Sequence, residues 1–121
     1  MLDTNVVIGL LKKQSTAVML VEAQNFSLNL AAISQITRME LLGFPGLAHE
    51  EETAILEFMS HCCVLGIDDR IEQFAIKLRR SSACKLPDAI IVATAYTQQL
   101  TLLTLDQQLV KLLESGVDIS A

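Results

Sequence analysis

Short apolar runs alternate along this chain with stretches of helical length, and that order leaves few folds open. Leu2-Asp3 reads as the end of a strand, and Thr4-Asn5 start a helix through Leu11. A second helical stretch follows near Thr16 to Gln24. Ser27 to Ile33, with Leu28, Leu30, Ala32 and Ile33 apolar, suits a strand. Ser34 is placed to cap a helix to Leu42, which Gly43 and Pro45 stop. His49 to Ser60 predicts a helix whose first turn carries Glu50, Glu51 and Glu52, acids that favour the positive end of its dipole. Cys62 to Ile67 reads as a buried strand, and Asp68 or Asp69 opens a helix with Ile71, Phe74, Ala75 and Leu78 at helical spacing, ending near Ser82. Pro87 fits the first turn of a further helix, buried from Ala89 to Tyr96 because it has almost no polar face. Leu100 to Thr104 is read as a strand, Asp106 as the cap of a short helix to about Leu113, and Gly116 as the lead to a last short strand at Val117-Asp118.

Strands separated by helices need crossover connections, so the expected fold class is α/β, a mostly parallel sheet with helices on both faces. Ligands of such folds lie beyond the carboxyl ends of the strands. Four acids fall there: Asp3 after the first strand, Glu40 in the helix after the second, Asp88 at the start of the buried helix and Asp106 after the Leu100 to Thr104 strand. Each has an ordinary reading as a cap, a dipole partner or a solvated charge. Helical geometry places Glu40 between Ile36 and Phe44, in an apolar arc, and Asp88 on a face with Ile91, Val92 and Ala95. An unpaired buried carboxylate is costly, so two aimed inward imply a shared cation or raised pKa values. Oxygen-only ligands without His or thiolate suit Mg²⁺ or Mn²⁺, ions that keep waters and accept phosphate oxygens.

No apolar run reaches the roughly 18 residues of a membrane span, and Met1-Leu2-Asp3 lacks the regions of a signal peptide. One domain over residues 1–121, in the cytoplasm, is expected. Cys62, Cys63 and Cys84 lack CxxC spacing and read as buried free thiols. A net charge of −5 argues against a broadly basic surface, but if four of the fourteen acids hold metal, ten remain against nine bases. Lys77, Arg79, Arg80 and Lys85 then form an acid-free basic segment.

In this order the motifs resemble the PIN-domain family, and within it the VapC-type toxins. Leu2-Asp3-Thr4-Asn5 looks like the family's opening LDTN, and Ile33 to Leu42 is similar to its second acidic motif. Leu86 to Ala95, beginning Leu-Pro-Asp-Ala, resembles its third and most specific one, and Leu103 to Asp106 corresponds to the strand end with the fourth acid. Family members usually carry several apolar residues before the first Asp, where this chain has Met1 and Leu2. The resemblance implies a three-layer α/β/α sandwich, often a homodimer, that cleaves RNA endonucleolytically with Mg²⁺ or Mn²⁺ held by Asp3, Glu40, Asp88 and Asp106. It implies Asn5, Ser34 and Thr104 as supporting polar residues, and a small antitoxin as partner.

On that reading one or two ions activate a water for in-line attack on a phosphodiester, with no His or Tyr needed as base. Lys12, Lys13, Arg38, Arg79, Arg80 and Lys85 are candidates to meet RNA phosphates. The alternatives are a PIN-like module without catalysis, working in RNA processing or by docking a partner, and a different phosphate enzyme. A haloacid-dehalogenase-type phosphatase needs two aspartates two residues apart early in the chain, which Asp3-Thr4-Asn5 does not supply. A receiver domain needs an early acidic pair, and Asp68-Asp69 comes late.

Overall fold

The computed structural model describes residues 1–24 and 31–120. Its elements run α1 (Thr4–Leu11), α2 (Ser15–Ala23), β1 (Ala32–Ser34), α3 (Gln35–Leu42), α4 (His49–Ser60), β2 (Cys63–Leu65), α5 (Asp69–Ser81), α6 (Leu86–Thr97) and α7 (Gln107–Ser120). Local chemistry sets several boundaries. The Ser34 hydroxyl accepts from the Ile36 amide at 3.2 Å and the Asp68 carboxylate from the Ile71 amide at 2.8 Å, each satisfying an amide that the first helical turn leaves free. Pro87 sits in the first turn of α6, where its missing N–H is not needed.

β1 and β2 pair in parallel, Ile33 opposite Val64. Backbone hydrogen bonds extend this pairing on the other side of β1. The Leu2 amide donates to the Ala32 carbonyl at 2.9 Å, the Asp3 amide to the Leu103 carbonyl at 3.1 Å, and the Leu103 amide to the Met1 carbonyl at 2.9 Å. Leu2 and Leu103 form a parallel bridge. The lateral order is therefore Leu103, Leu2, β1, β2.

Side chains alternate across these segments, as the period of extended chain requires, and the alternation sorts them into two cores. Leu2, Ala31, Ile33 and Leu103 pack with Val6 and Val7 of α1, Val21 of α2, Leu41 of α3, and Ile55 and Met59 of α4. Met1 and Leu102 face the other way, against Ile71, Ala75 and Leu78 of α5, Ile91 and Val92 of α6, and Leu109 and Leu112 of α7. The same switch occurs within β2, where Val64 joins the first core and Leu65 the second. The result is the expected α/β/α sandwich, with more helix and less sheet than the apolar runs suggested.

Four expectations need correction. Leu100 to Thr104 is not a full strand: among the described residues Leu103 alone bridges, in parallel to Leu2. Cys62 to Ile67 shortens to Cys63–Leu65 and is not buried, since among the described residues β2 pairs only with β1 and stands at an edge. The cysteines follow suit: all three are free, but Cys63 is exposed and Cys62 and Cys84 are half-buried. Of the proposed strand Ser27 to Ile33, residues 27–30 lie outside the described residues.

The fourth correction concerns the end of the chain. No short strand forms at Val117-Asp118, because α7 runs unbroken to Ser120 with Gly116 inside it. Glycine is needed there for contact rather than for a turn: a Cβ at 116 would overlap the Tyr96 ring. That ring stacks on Phe74 at 5.3 Å between centroids, and its hydroxyl donates to the Leu113 carbonyl, tying α5, α6 and α7 together. In an open helix Gly→Ala gains up to about 1 kcal/mol. Gly116→Ala should do the opposite and cost about 1–3 kcal/mol through overpacking, read as a lower urea midpoint at unchanged m-value.

Candidate active site

The backbone clamp on Leu2 delivers Asp3 to the carboxyl end of the central segments. Asp3 is 3% exposed, the one carboxylate among the described residues classed as buried. It occupies the N-cap position of α1, yet its side chain does not cap that helix. Its Oδ2 instead accepts from the Thr104 hydroxyl at 2.7 Å. Thr104 Oγ1 in turn accepts from the Asp106 amide at 3.0 Å, so one hydroxyl joins the first acid to the backbone of the last. The Asp106 carboxylate caps α7, accepting from the Gln108 amide at 2.9 Å, and is half-buried.

Asp88 lies in the first turn of α6 and is half-buried, more open than its place among Ile91, Val92 and Ala95 suggested, because the helix meets solvent at its first turn. Glu40 departs further from expectation. It does not point into an apolar arc: the buried positions of α3 are Thr37 and Leu41, while Phe44, which bounds that arc, is 64% exposed and the neighbouring Met39 50%. Glu40 is exposed on the rim, where its Oε1 accepts from the Thr4 hydroxyl at 2.8 Å. Thr4 is hydrogen-bonded also to the buried Thr37 hydroxyl at 3.1 Å, so α1 positions Glu40 across the gap to α3. Sequence reasoning did not single out Thr4 and Thr37. The signal was available in the Thr-x-x-Glu spacing of Thr37 and Glu40, which puts both on adjoining rows of one helix.

These acids act on one another electrostatically. The Asp3 carboxyl is pushed above its usual range, first by burial and then by the charges of Asp106 and Asp88, against which the Thr104 and Thr4 hydrogen bonds pull down. The Asp88 carboxyl is pushed up by burial, then by Asp106 and Glu40, with Lys85 partly offsetting them. The only ion pair among the described residues is His61 with Glu57, away from this cluster. As placed, the four side chains do not form a ready-made ligand sphere: among the described residues, no three His, Cys, Asp or Glu are arranged to hold one metal ion. Mutual repulsion among like charges favours that spread. The donor chemistry nonetheless fits a hard divalent cation, since every group is a carboxylate oxygen and Asp3 is oriented by a fixed hydroxyl.

The remaining candidates divide. Thr104 touches a carboxylate directly, whereas Ser34 is fully buried and spends its hydroxyl on capping α3. Asn5 is exposed on α1 and, among the described residues, forms no side-chain hydrogen bond to the acids. Lys12, Lys13, Arg38, Arg79, Arg80 and Lys85 are all exposed. Lys85 stands at the N-cap of α6, close enough to act on Asp88.

The fold is a parallel α/β/α sandwich with acids gathered beyond the carboxyl ends of its strands, and the comparisons say which family it belongs to. The family model described as PIN domain matches residues 1–113. A chain of a solved toxin–antitoxin complex from Klebsiella pneumoniae superposes with a TM-score of 0.74 at 33% identity, over 88% of this chain and 86% of that one. No curated protein matches at the same stringency. The chain belongs to the PIN-domain family, whose members are in general nucleases.

The raised pKa values carry a stability consequence. Asp3 and Asp88 hold protons more tightly in the folded chain than in the unfolded one, so their protonated forms stabilise the fold below the ordinary carboxylate range. That contribution is lost as pH rises through the raised values. In chelator, Asp3→Asn and Asp88→Asn should each flatten the fall in urea midpoint between acidic and neutral pH. An unchanged profile in both would mean that neither carboxylate is strained by its neighbours.

Proposed function

We propose that the chain, as one PIN domain over residues 1–121, is a Mg²⁺- or Mn²⁺-dependent endoribonuclease acting in the cytoplasm as the toxin of a type II toxin–antitoxin pair. The observation that carries this reading is the coupling of Asp3, Asp88, Asp106 and Glu40, drawn from four distant stretches of sequence and matched by no neutralising ion pair among the described residues. These four would hold the cation. When bound, it supplies Lewis-acid polarisation of a phosphoryl oxygen and a nucleophile usable at neutral pH. The chain's own residues do the rest: Thr104 holds Asp3 in one orientation, Thr4 and Thr37 hold Glu40 at the rim, and Lys85 brings positive charge beside Asp88.

The antitoxin reading is supported by an apolar groove of about 210 Å³ between α1, α3 and α4. Ile8, Leu11, Leu41, Leu47 and Ile55 line it, Phe44 overhangs it at 64% exposure, and Glu40 stands on its edge. A partner helix seated there would lie against Glu40 and cover the rim of the acidic site, blocking access to it. The resemblance to a chain from a toxin–antitoxin complex supports the same assignment. A second exposed apolar face, formed by Ile67 (40% exposed), Ile76 (44%) and Leu86 (52%) beside Arg79 and Arg80, is the surface we assign to a second copy of the chain in a homodimer.

Mn²⁺ should raise the melting temperature, by the equivalent of about 2.7 kcal/mol at a hundredfold excess over its dissociation constant. Asp88→Asn should abolish both that rise and cleavage of single-stranded RNA in Mg²⁺; a full thermal response in the variant would remove Asp88 from the ligand set. For the partner, Phe44→Ala should weaken binding of a cognate antitoxin by about 2 kcal/mol, the loss typical of an aromatic anchor, measured by calorimetry.

A further inference from the structure

A cleft of about 510 Å³ opens beside Asp88, between the turn joining α5 to α6 and one face of α7. Its volume falls within the roughly 300–1,000 Å³ typical of ligand sites. Ser82, Cys84 and Lys85 form one wall; Gln108, Lys111 and Ser115, one stripe of α7 at helical spacing, form the other. Among the described residues Asp88 is the only acid that lines it. Glu114 of α7 is not among the lining residues.

We infer that this cleft carries the RNA strand past the scissile phosphate, with Lys85 and Lys111 holding a neighbouring backbone phosphate from opposite walls. The inference rests on the nuclease reading and adds to it the path of the substrate. Three features select nucleic-acid backbone as the occupant. Both walls present cations, and among the described residues neither lysine is in an ion pair. The Gln108 amide and Ser82 hydroxyl add neutral donors suited to phosphate or sugar oxygens. The cleft is also continuous with Asp88, so a strand lying in it would cross the acidic site rather than bypass it. An acidic cluster repels a polyanion, and a protein with a net charge of −5 needs local positive charge beside the cluster to seat one.

Lys111 tests this, because it lies outside the acidic site. Binding of a fluorescent single-stranded RNA is followed by anisotropy over a salt series in the full chain carrying Asp106→Asn, and cleavage of the same RNA in the chain with Asp106 intact. Lys111→Ala should raise Kd and KM roughly fivefold to tenfold, leave kcat unchanged, and reduce the slope of log K against log salt by about 0.7, the value for one single-strand phosphate contact. Lys111→Arg should restore most of the affinity. Arg70→Glu, at the opposite end of α5, should change neither quantity. Unaltered melting temperatures establish that each variant is folded. If Lys111→Ala leaves KM and salt slope as they were while cleavage continues, the cleft is not the strand path and the nuclease reading stands. If the unaltered chain neither binds nor cleaves the RNA in Mg²⁺ or Mn²⁺, the nuclease reading fails and the strand path with it. Lys111-dependent binding of a polyglutamate peptide, with RNA binding unaffected, would assign the cleft to an acidic polypeptide instead.

Discussion

The backbone of Leu2 holds the molecule's site in place. Its amide is bonded to Ala32, while the Met1 carbonyl and Asp3 amide are bonded to Leu103. Two residues of extended chain are thereby gripped on both sides. Asp3 follows at once, so its carboxylate has no freedom to swing to solvent and is delivered beneath Thr104. Burying a charge in this way is unfavourable on its own, and it persists because the surrounding backbone pairing and the two cores over-determine the position. Every electrostatic relation in the site starts from that forced placement: Asp106 and Asp88 matter to Asp3 because Asp3 cannot move away from them.

A single-residue alternation gives the chain its three layers. Met1 and Leu2 are neighbours in sequence and belong to different cores, as do Leu102 and Leu103, and Val64 and Leu65. A slip of one residue at any of these points would exchange the cores and turn Asp3 away from Thr104. The shortness of the paired segments would make such a slip cheap if hydrogen bonds alone opposed it. Helix packing prevents it instead, because Leu2 and Leu103 meet α1 on one side while Met1 and Leu102 meet the α5–α7 layer on the other.

What was legible in the sequence was whatever local chemistry determines. Ser34 and Asp68 cap the helices their positions announced, Pro87 falls in a first turn, and α4 matches its expected limits because its acids and the following turn mark both ends. What was not legible depends on neighbours. Glu40 was assigned to an apolar arc because the apolar residues around it were counted as core, but Phe44 lines the groove between α1, α3 and α4 and Met39 is half exposed, and an exposed apolar surface looks in sequence like a covered one. Gly116 reads as the lead to a last short strand, and only the Tyr96 ring reveals that the missing Cβ serves close contact inside a helix. Cys63 read as core because free cysteines usually are, and the edge position of β2 overrides that habit.

The distribution of charge ties these levels together. Four carboxylates at one edge of the sheet lower affinity for any polyanion, so the fold must compensate close by rather than by its average composition. The screening length at physiological salt is about 8 Å, which makes a lysine on the far side of the molecule of little use. Lys85, at the cap of α6, acts on Asp88 directly, and Lys111, just over one turn into α7, lines the same cleft as Asp88. The packing of α6 on α7, held by Tyr96 lying over Gly116, therefore helps set how Asp88 and Lys85 on one side face Lys111 on the other. A contact with no part in the acidic site governs how the walls beside it meet.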